Sequence, residues 1–218
     1  HTEGDLAGLT TYRVYVKTPT TSDFLSAVTG DASNPLRIQT TTSFYQHMLG
    51  STSAQGINPM LLIPFPELVY DSWVTVGLQN QSNSALGEVD VSLIEGAPWI
   101  ADFNAGGDIV IEDAVGGGWY TLNGASNGVS GYDQRVLVGQ FTTDGTLHGQ
   151  IFVQVFPEGD GENMVFETLH FGTPNCGCSD AAACNYNPDA EFLDASQCLY
   201  PEDYFGVSNV DCDGNCVN

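Results

Sequence analysis

Positive charge is what this sequence has least of. Four basic residues, Arg13, Lys17, Arg37 and Arg135, face 27 carboxylates, and the 218 residues carry a net charge of −23. Such a chain offers no surface for nucleic acid or anionic lipid, both of which need arrays of Lys and Arg. Cations, or surfaces bridged by cations, are the partners its charge favours. Also missing is any apolar run of about 18 residues, so no segment reads as a membrane span. Catalytic signatures are missing as well: no P-loop, dinucleotide fingerprint or G-x-S-x-G elbow occurs, and the glycines of 106–119 lack the spacing and the following helix of a phosphate cradle. His47, His148 and His170 have no nucleophile motif to serve, and the latter two read as ordinary surface or sheet histidines. With so many carboxylates, a pair such as Glu112 with Asp113 or Asp71 can be nominated for sugar hydrolysis anywhere, so the nomination decides nothing. The chain reads as a non-enzyme.

Cysteine is absent before position 176 and then abundant. Cys176, Cys178, Cys184, Cys198, Cys212 and Cys216 all fall in the last 43 residues, with eight carboxylates and no Lys or Arg. A segment this short and polar cannot bury a core of its own and needs covalent staples or bound metal. Zinc wants paired Cys or Cys/His ligands at regular spacing. Here the spacing is irregular and no histidine follows His170, so disulfides are expected, in an oxidising compartment, with their pairing open. Cys176 and Cys178 are too close to bond each other comfortably.

Oxygen ligands form a second pattern in the same segment. Asn209, Asp211, Asp213 and Asn215 alternate around Gly214 as in the first half of a calcium loop, without the twelfth-position Glu of an EF-hand. Asn185, Asn187 and Asp189 alternate likewise, and Asp180 and Asp194 stand nearby. These residues equally suit tight turns. Eight carboxylates without an internal cation repel one another, however, and a hard divalent ion relieves that, so Ca2+ is the expected cofactor.

The phrase CSDAAACNYNPDAEFLDASQC followed by DCDGNC resembles the cysteine-rich "ACNYNP" repeats found in tandem in large secreted and surface proteins, notably of aquatic bacteria. The resemblance covers Gly177 to Cys216, about a fifth of the chain. It implies an extracellular, stalk-like or assembly module.

Upstream, 1–172 reads as one β domain, and 173–218 as the cysteine-rich acidic module. Thr10–Lys17 alternates aromatic or β-branched residues with polar ones, a strand signal that closes an N-terminal arm over 1–18. Phe24–Val28 is expected as a short helix capped by Ser22 or Asp23. Leu36–Tyr45 is a strand candidate, and Met60–Phe65 is hemmed by prolines into an edge or packing segment. Glu67–Leu78 is expected as the central strand, with Val69, Trp73 and Val76 in the core. Further strands are expected over 88–94, 108–111, 118–122, 134–141, 148–156 and 164–171. Asp144-Gly145 in TTDGTLHG looks like a hairpin tip. Short strands at this spacing, with little helical periodicity, argue a mainly β fold, a β-sandwich or jelly roll.

YDSWVTVG at Tyr70 to Gly77, with DQRVLVGQFTTDGTLHGQIFVQV at Asp133 to Val155, resembles a domain of uncharacterised secreted and surface proteins of aquatic microbes that often carry cysteine-rich repeats. The resemblance implies localisation and class. A first residue other than Met fits a secreted chain after removal of a signal peptide. Charged residues make up only 14% beside 25 glycines, a neutral polar composition common in extracellular β proteins. Trp99, Trp119, Tyr120 and Tyr132 lie in or near glycine-rich loops and are candidate glycan contacts, or else they close the ends of the sandwich. Asn80, in Asn80-Gln81-Ser82, is the one glycosylation acceptor. The expected function is a structural subunit of an extracellular assembly, a homopolymer joined head to tail. The alternative is a secreted module that binds extracellular polysaccharide.

Overall fold

The computed structural model describes residues 1, 6–96, 98–172, 176–177, 180–184, 186, 192–193 and 199–202. Two compact units divide the chain, His1–Gly172 and Thr173–Asn218. The first is mainly β, with strands β1 (Thr10–Lys17), β2 (Phe24–Gly30), β3 (Leu36–Thr40), β4 (Trp73–Val74) and β5 (Ser92–Ile94) before a short helix α1 (Trp99–Asn104). After it come β6 (Ile109–Ile111), β7 (Gly117–Tyr120), β8 (Arg135–Thr143), β9 (Leu147–Phe156) and β10 (Val165–Gly172).

A small sheet runs β1-β8-β4. In the larger sheet β9 is the spine. Its residues Phe156 to Phe152 pair with β2, and Gln150 to Leu147 pair with β3, so β2 and β3 lie end to end along one side of it. β10 takes the other side, antiparallel over eight residue pairs. β7 and then β5 extend the sheet from β2, and β6 extends it from β3. One hydrophobic core draws on both sheets, the arrangement of a sandwich. Phe44, Phe103 and Phe141 meet there with centroids 5.5 to 6.1 Å apart.

Three expectations are corrected. Phe24–Val28 is a strand, not a helix: with β9 on one side, β7 on the other and every side chain from Phe24 to Val28 buried, the run has no polar face to turn outward. Glu67–Leu78 is not a continuous central strand. Pro66–Tyr70 is a 3-10 turn, strand pairing is confined to Trp73–Val74, and Val69 is 42% exposed whereas Trp73 and Val76 are buried. Before Trp73 the break begins at Pro66, the first residue of that turn; after Val74 its cause sits in the neighbouring strand. The β1–β8 register skips Val138, passing from Val14–Gly139 to Tyr15–Leu137, which is a bulge. Beyond Val74 the chain follows it by single bonds, Thr75 N–H to Val138 O (3.0 Å) and Gly77 N–H to Leu137 O (2.8 Å).

Third, Asp144-Gly145 is not a hairpin tip, because β8 and β9 belong to different sheets and the turn is a corner between them. Threonines hold it: Thr42 Oγ1 donates to Asp144 Oδ1 (2.6 Å), and Thr146 N–H donates to Thr41 Oγ1 (3.0 Å). A Cβ at Gly145 would collide with the hydroxyls of Thr40, Thr41 and Thr42.

In the second unit, Cys176–Gly177 pairs in parallel with Phe192–Leu193, and Cys184 N–H donates to Leu199 O at 2.8 Å.

Candidate functional site

The sandwich is open along one flank, bordered by the edge strands β1 and β10. In β1 the alternation turns Val14 and Val16 inward and leaves Arg13, Tyr15 and Lys17 exposed. In β10 the ladder sets Val165, Glu167, Leu169 and Phe171 opposite Val155, Val153, Ile151 and Gly149 of β9. All four therefore share the inner face of the larger sheet. Phe171 fills the space over Gly149, where a Cβ would strike its ring.

Among the described residues, β10 pairs with β9 and with no strand of the small sheet. The result is a groove of about 520 Å3, floored by Val16, Val153, Val155, Val165 and Leu169 and rimmed by Lys17, Asp23, Glu158, Asp160 and Glu167. Val165 is 40% exposed. The other face of β10 carries one large apolar side chain beside Thr168 and His170: Phe166 stacks on Phe152 at 5.6 Å yet stays half exposed. Among the described residues, the outer edges of β1 and β10 have no strand partner.

Asp23 anchors one end of the groove. Its carboxylate accepts Thr20 N–H and Thr20 Oγ1 at 2.8 Å, and Glu158 N–H at 2.9 Å. Burial alone would push this carboxyl up, but those bonds outweigh it and hold the pKa below the ordinary value. The last of them keeps Glu158 at φ 54, a left-handed conformation that costs a non-glycine residue about 1 kcal/mol. On the opposite flank Asp71 is fully buried and accepts His47 N–H (2.7 Å) and Ser51 N–H (3.0 Å). There burial dominates over the backbone bonds, and its pKa is pushed up to about 6.

Of the candidate glycan contacts, Trp99 and Trp119 are buried core residues, 5.8 Å apart, with indole N–H groups bonded to Ile94 O and Thr75 O. They form no sugar platform. Each indole finds a backbone acceptor inside, which lets it bury its whole ring. Tyr120 is half-buried on β7. Tyr132, beside Gly131, is fully exposed. Asn80 is exposed in its loop.

Among the candidate metal ligands only Asp180 is described. It heads a turn, accepting Ala182 N–H at 2.9 Å and Tyr200 Oη–H at 2.8 Å, and these two bonds hold its pKa below the ordinary value. That is the turn-forming role open to Asp. Asn185, Asn187, Asp189, Asp194, Asn209, Asp211, Asp213 and Asn215 lie outside the described residues, as do Cys178, Cys198, Cys212 and Cys216. Among the described residues, no three His, Cys, Asp or Glu gather to hold a metal.

The groove was not foreseen from the sequence. Its one sequence signal is the alternation of 164–171, where both alternating sets hold bulky apolar residues, Val165 and Leu169 on one face and Phe166 on the other. Compared with family models, with curated proteins and with solved structures, the chain matches none.

Proposed function

We propose that this chain is a non-enzymatic structural subunit of an extracellular assembly, such as a filament, sheath or adhesive stalk. Its copies join head to tail, and its cysteine-rich module is stapled by disulfides and holds Ca2+. The observation that carries this reading is the open flank. Folded proteins ordinarily blunt long edge strands with charge, proline or a covering loop, because a bare edge templates further pairing. Here an eight-residue edge strand carries exposed apolar side chains on both faces beside a groove with an apolar floor.

An extended segment of a neighbouring copy laid along β1 or β10 would complete the hydrogen-bond ladder and cover Val155, Val165 and Leu169. Each apolar side chain so covered contributes on the order of 1 kcal/mol. A head-to-tail contact of this kind propagates into a fibre unless its rotation closes a ring.

The test is electron microscopy of the non-reduced protein with calcium and then with excess chelator. Filaments that loosen on chelation support a cation-clamped polymer, and a calcium-indifferent monomer overturns the reading. The rival, a secreted polysaccharide-binding or adhesion module, keeps one observation, the fully exposed ring of Tyr132. One ring falls short of the two coplanar aromatics that a sugar platform uses.

A further inference from the structure

Three of the four basic residues of this strongly acidic chain meet on one surface. Alternation along β1 puts Arg13, Tyr15 and Lys17 on the outer face of the small sheet, and Arg135 of β8 pairs with Lys17 across the ladder. The Arg135 guanidinium lies 4.5 Å over the Tyr15 ring, so a cation and an aromatic interleave along the row. Little of this charge is neutralised. Arg13 donates to Gln140 Oε1 (3.0 Å) and Gln79 Oε1 (2.9 Å), neutral acceptors that aim the guanidinium without cancelling it.

Among the described residues the Lys17 ammonium has no hydrogen bond or ion pair, and the one carboxylate that Arg135 meets is the exposed Asp133 at 3.3 Å. The fourth cation, Arg37, sits in the other sheet and is already held by Glu112 at 2.6 Å. A domain with so many carboxylates thus leaves three cations together and nearly unanswered.

We infer that the outer face of β1, with Arg13, Lys17 and Arg135 around Tyr15, is the docking surface for the acidic cysteine-rich segment of a second copy of this chain. The inference rests on the head-to-tail reading above and names its contact. Its support is charge complementarity within one sequence. Residues 176–218 carry eight carboxylates and no Lys or Arg. Two copies of a −23 chain repel through their acidic surfaces, and among the described residues this row is where unanswered cations gather to offset that repulsion. The spacing agrees as well. Asp189 and Glu191, and again Asp211 and Asp213, stand two residues apart in the sequence. Lys17 and Arg135 face each other across the ladder, roughly 5 Å apart between strands, within the reach of such a carboxylate pair.

The experiment is sedimentation of the full-length, non-reduced protein at fixed calcium over a range of salt, comparing wild type with Lys17→Glu and Arg37→Glu. These two variants change net charge equally, but only one touches the row. The expected result is association that weakens with salt, falls about tenfold in Lys17→Glu and further in the triple Arg13→Glu, Lys17→Glu, Arg135→Glu variant, and is unchanged in Arg37→Glu. Mixing the triple variant with copies carrying Asp211→Lys and Asp213→Lys should restore hetero-association.

Equal effects of Lys17→Glu and Arg37→Glu overturn the inference. So does a concentration-independent contact, which would place the acidic segment on its own chain. Binding of an added polyuronate without self-association overturns it in favour of an anionic glycan. Filaments that persist in Lys17→Glu overturn this contact and leave the head-to-tail reading standing, whereas a monomer under every condition overturns both.

Discussion

The two edges of the small sheet are treated in opposite ways. The β4 edge is two residues long and sealed: Ser53 bridges to Val74, Val74 N–H donates to Thr52 O at 2.9 Å, and Asp71 gathers the loop beside it. Phe44 from the loop after β3, and Phe103 from α1, pack on Phe141 behind it. The β1 edge runs for eight residues and nothing described pairs with it. Covering an edge is therefore within this fold's means, and it is spent on one side only. Among the described residues the other side is left bare, and it is the side the proposed contact uses.

The contrast can be broken from the sealed side first. Phe141→Ala, which empties the centre of the aromatic trio, should cost about 3 to 5 kcal/mol, read as a fall in the urea midpoint by circular dichroism. Next in size is a pH effect. Asp71 has a folded pKa of about 6, above the ordinary carboxylate value, so the native state holds the proton more tightly than the unfolded chain does. Stability should therefore fall as pH rises from about 4 to about 6, by up to about 3 kcal/mol, and stay at the lower level above that window. Asp71→Asn should flatten that slope in denaturant titrations at pH 4.5 and 7.5.

Asp71→Ala should cost about 2 kcal/mol by leaving the N–H groups of His47 and Ser51 buried without an acceptor. Hydrogen exchange should quicken at those two amides before it does at β9. The smallest stability effect belongs to the open side. Leu169→Ser, at a side chain packed on the core only in part, should cost about 1 kcal/mol, yet it should abolish or shorten the proposed assemblies in microscopy. A Leu169→Ser protein that unfolds as readily as Phe141→Ala would erase the distinction between the edges.

How far the sequence carried the fold follows from where each strand's neighbours come from. β1, β8, β9 and β10 were legible because each is long and bears a strong β pattern. β2 was not, since Phe24–Val28 is flanked by strands far away in the sequence and short apolar runs fit helix and buried strand alike. Glu67–Leu78 has ample β propensity and still breaks, because Pro66 opens a turn before Trp73 and, after Val74, the bulge at Val138 lies on the strand it pairs with. Asp144-Gly145 carries ideal hairpin residues, but the hydroxyls of Thr40, Thr41 and Thr42 receive that turn. The candidate site was less legible still. Alternation tells which residues share a face and is silent on whether another layer covers it, so the open groove beside β10 could not be read from 164–171. In the same way Trp99 and Trp119 showed their glycine-rich setting and not the carbonyls of Ile94 and Thr75 that draw them inside.

The end-to-end placement of β2 and β3 along β9 has a mechanical side. Tension applied at Gly172 along the strand direction loads all eight residue pairs of the β10–β9 ladder together, in shear, because the two strands run antiparallel and side by side. β9 then hands that load to β2 over one half of its length and to β3 over the other. A pull on this domain would be shared across the width of its larger sheet before any single pair has to give.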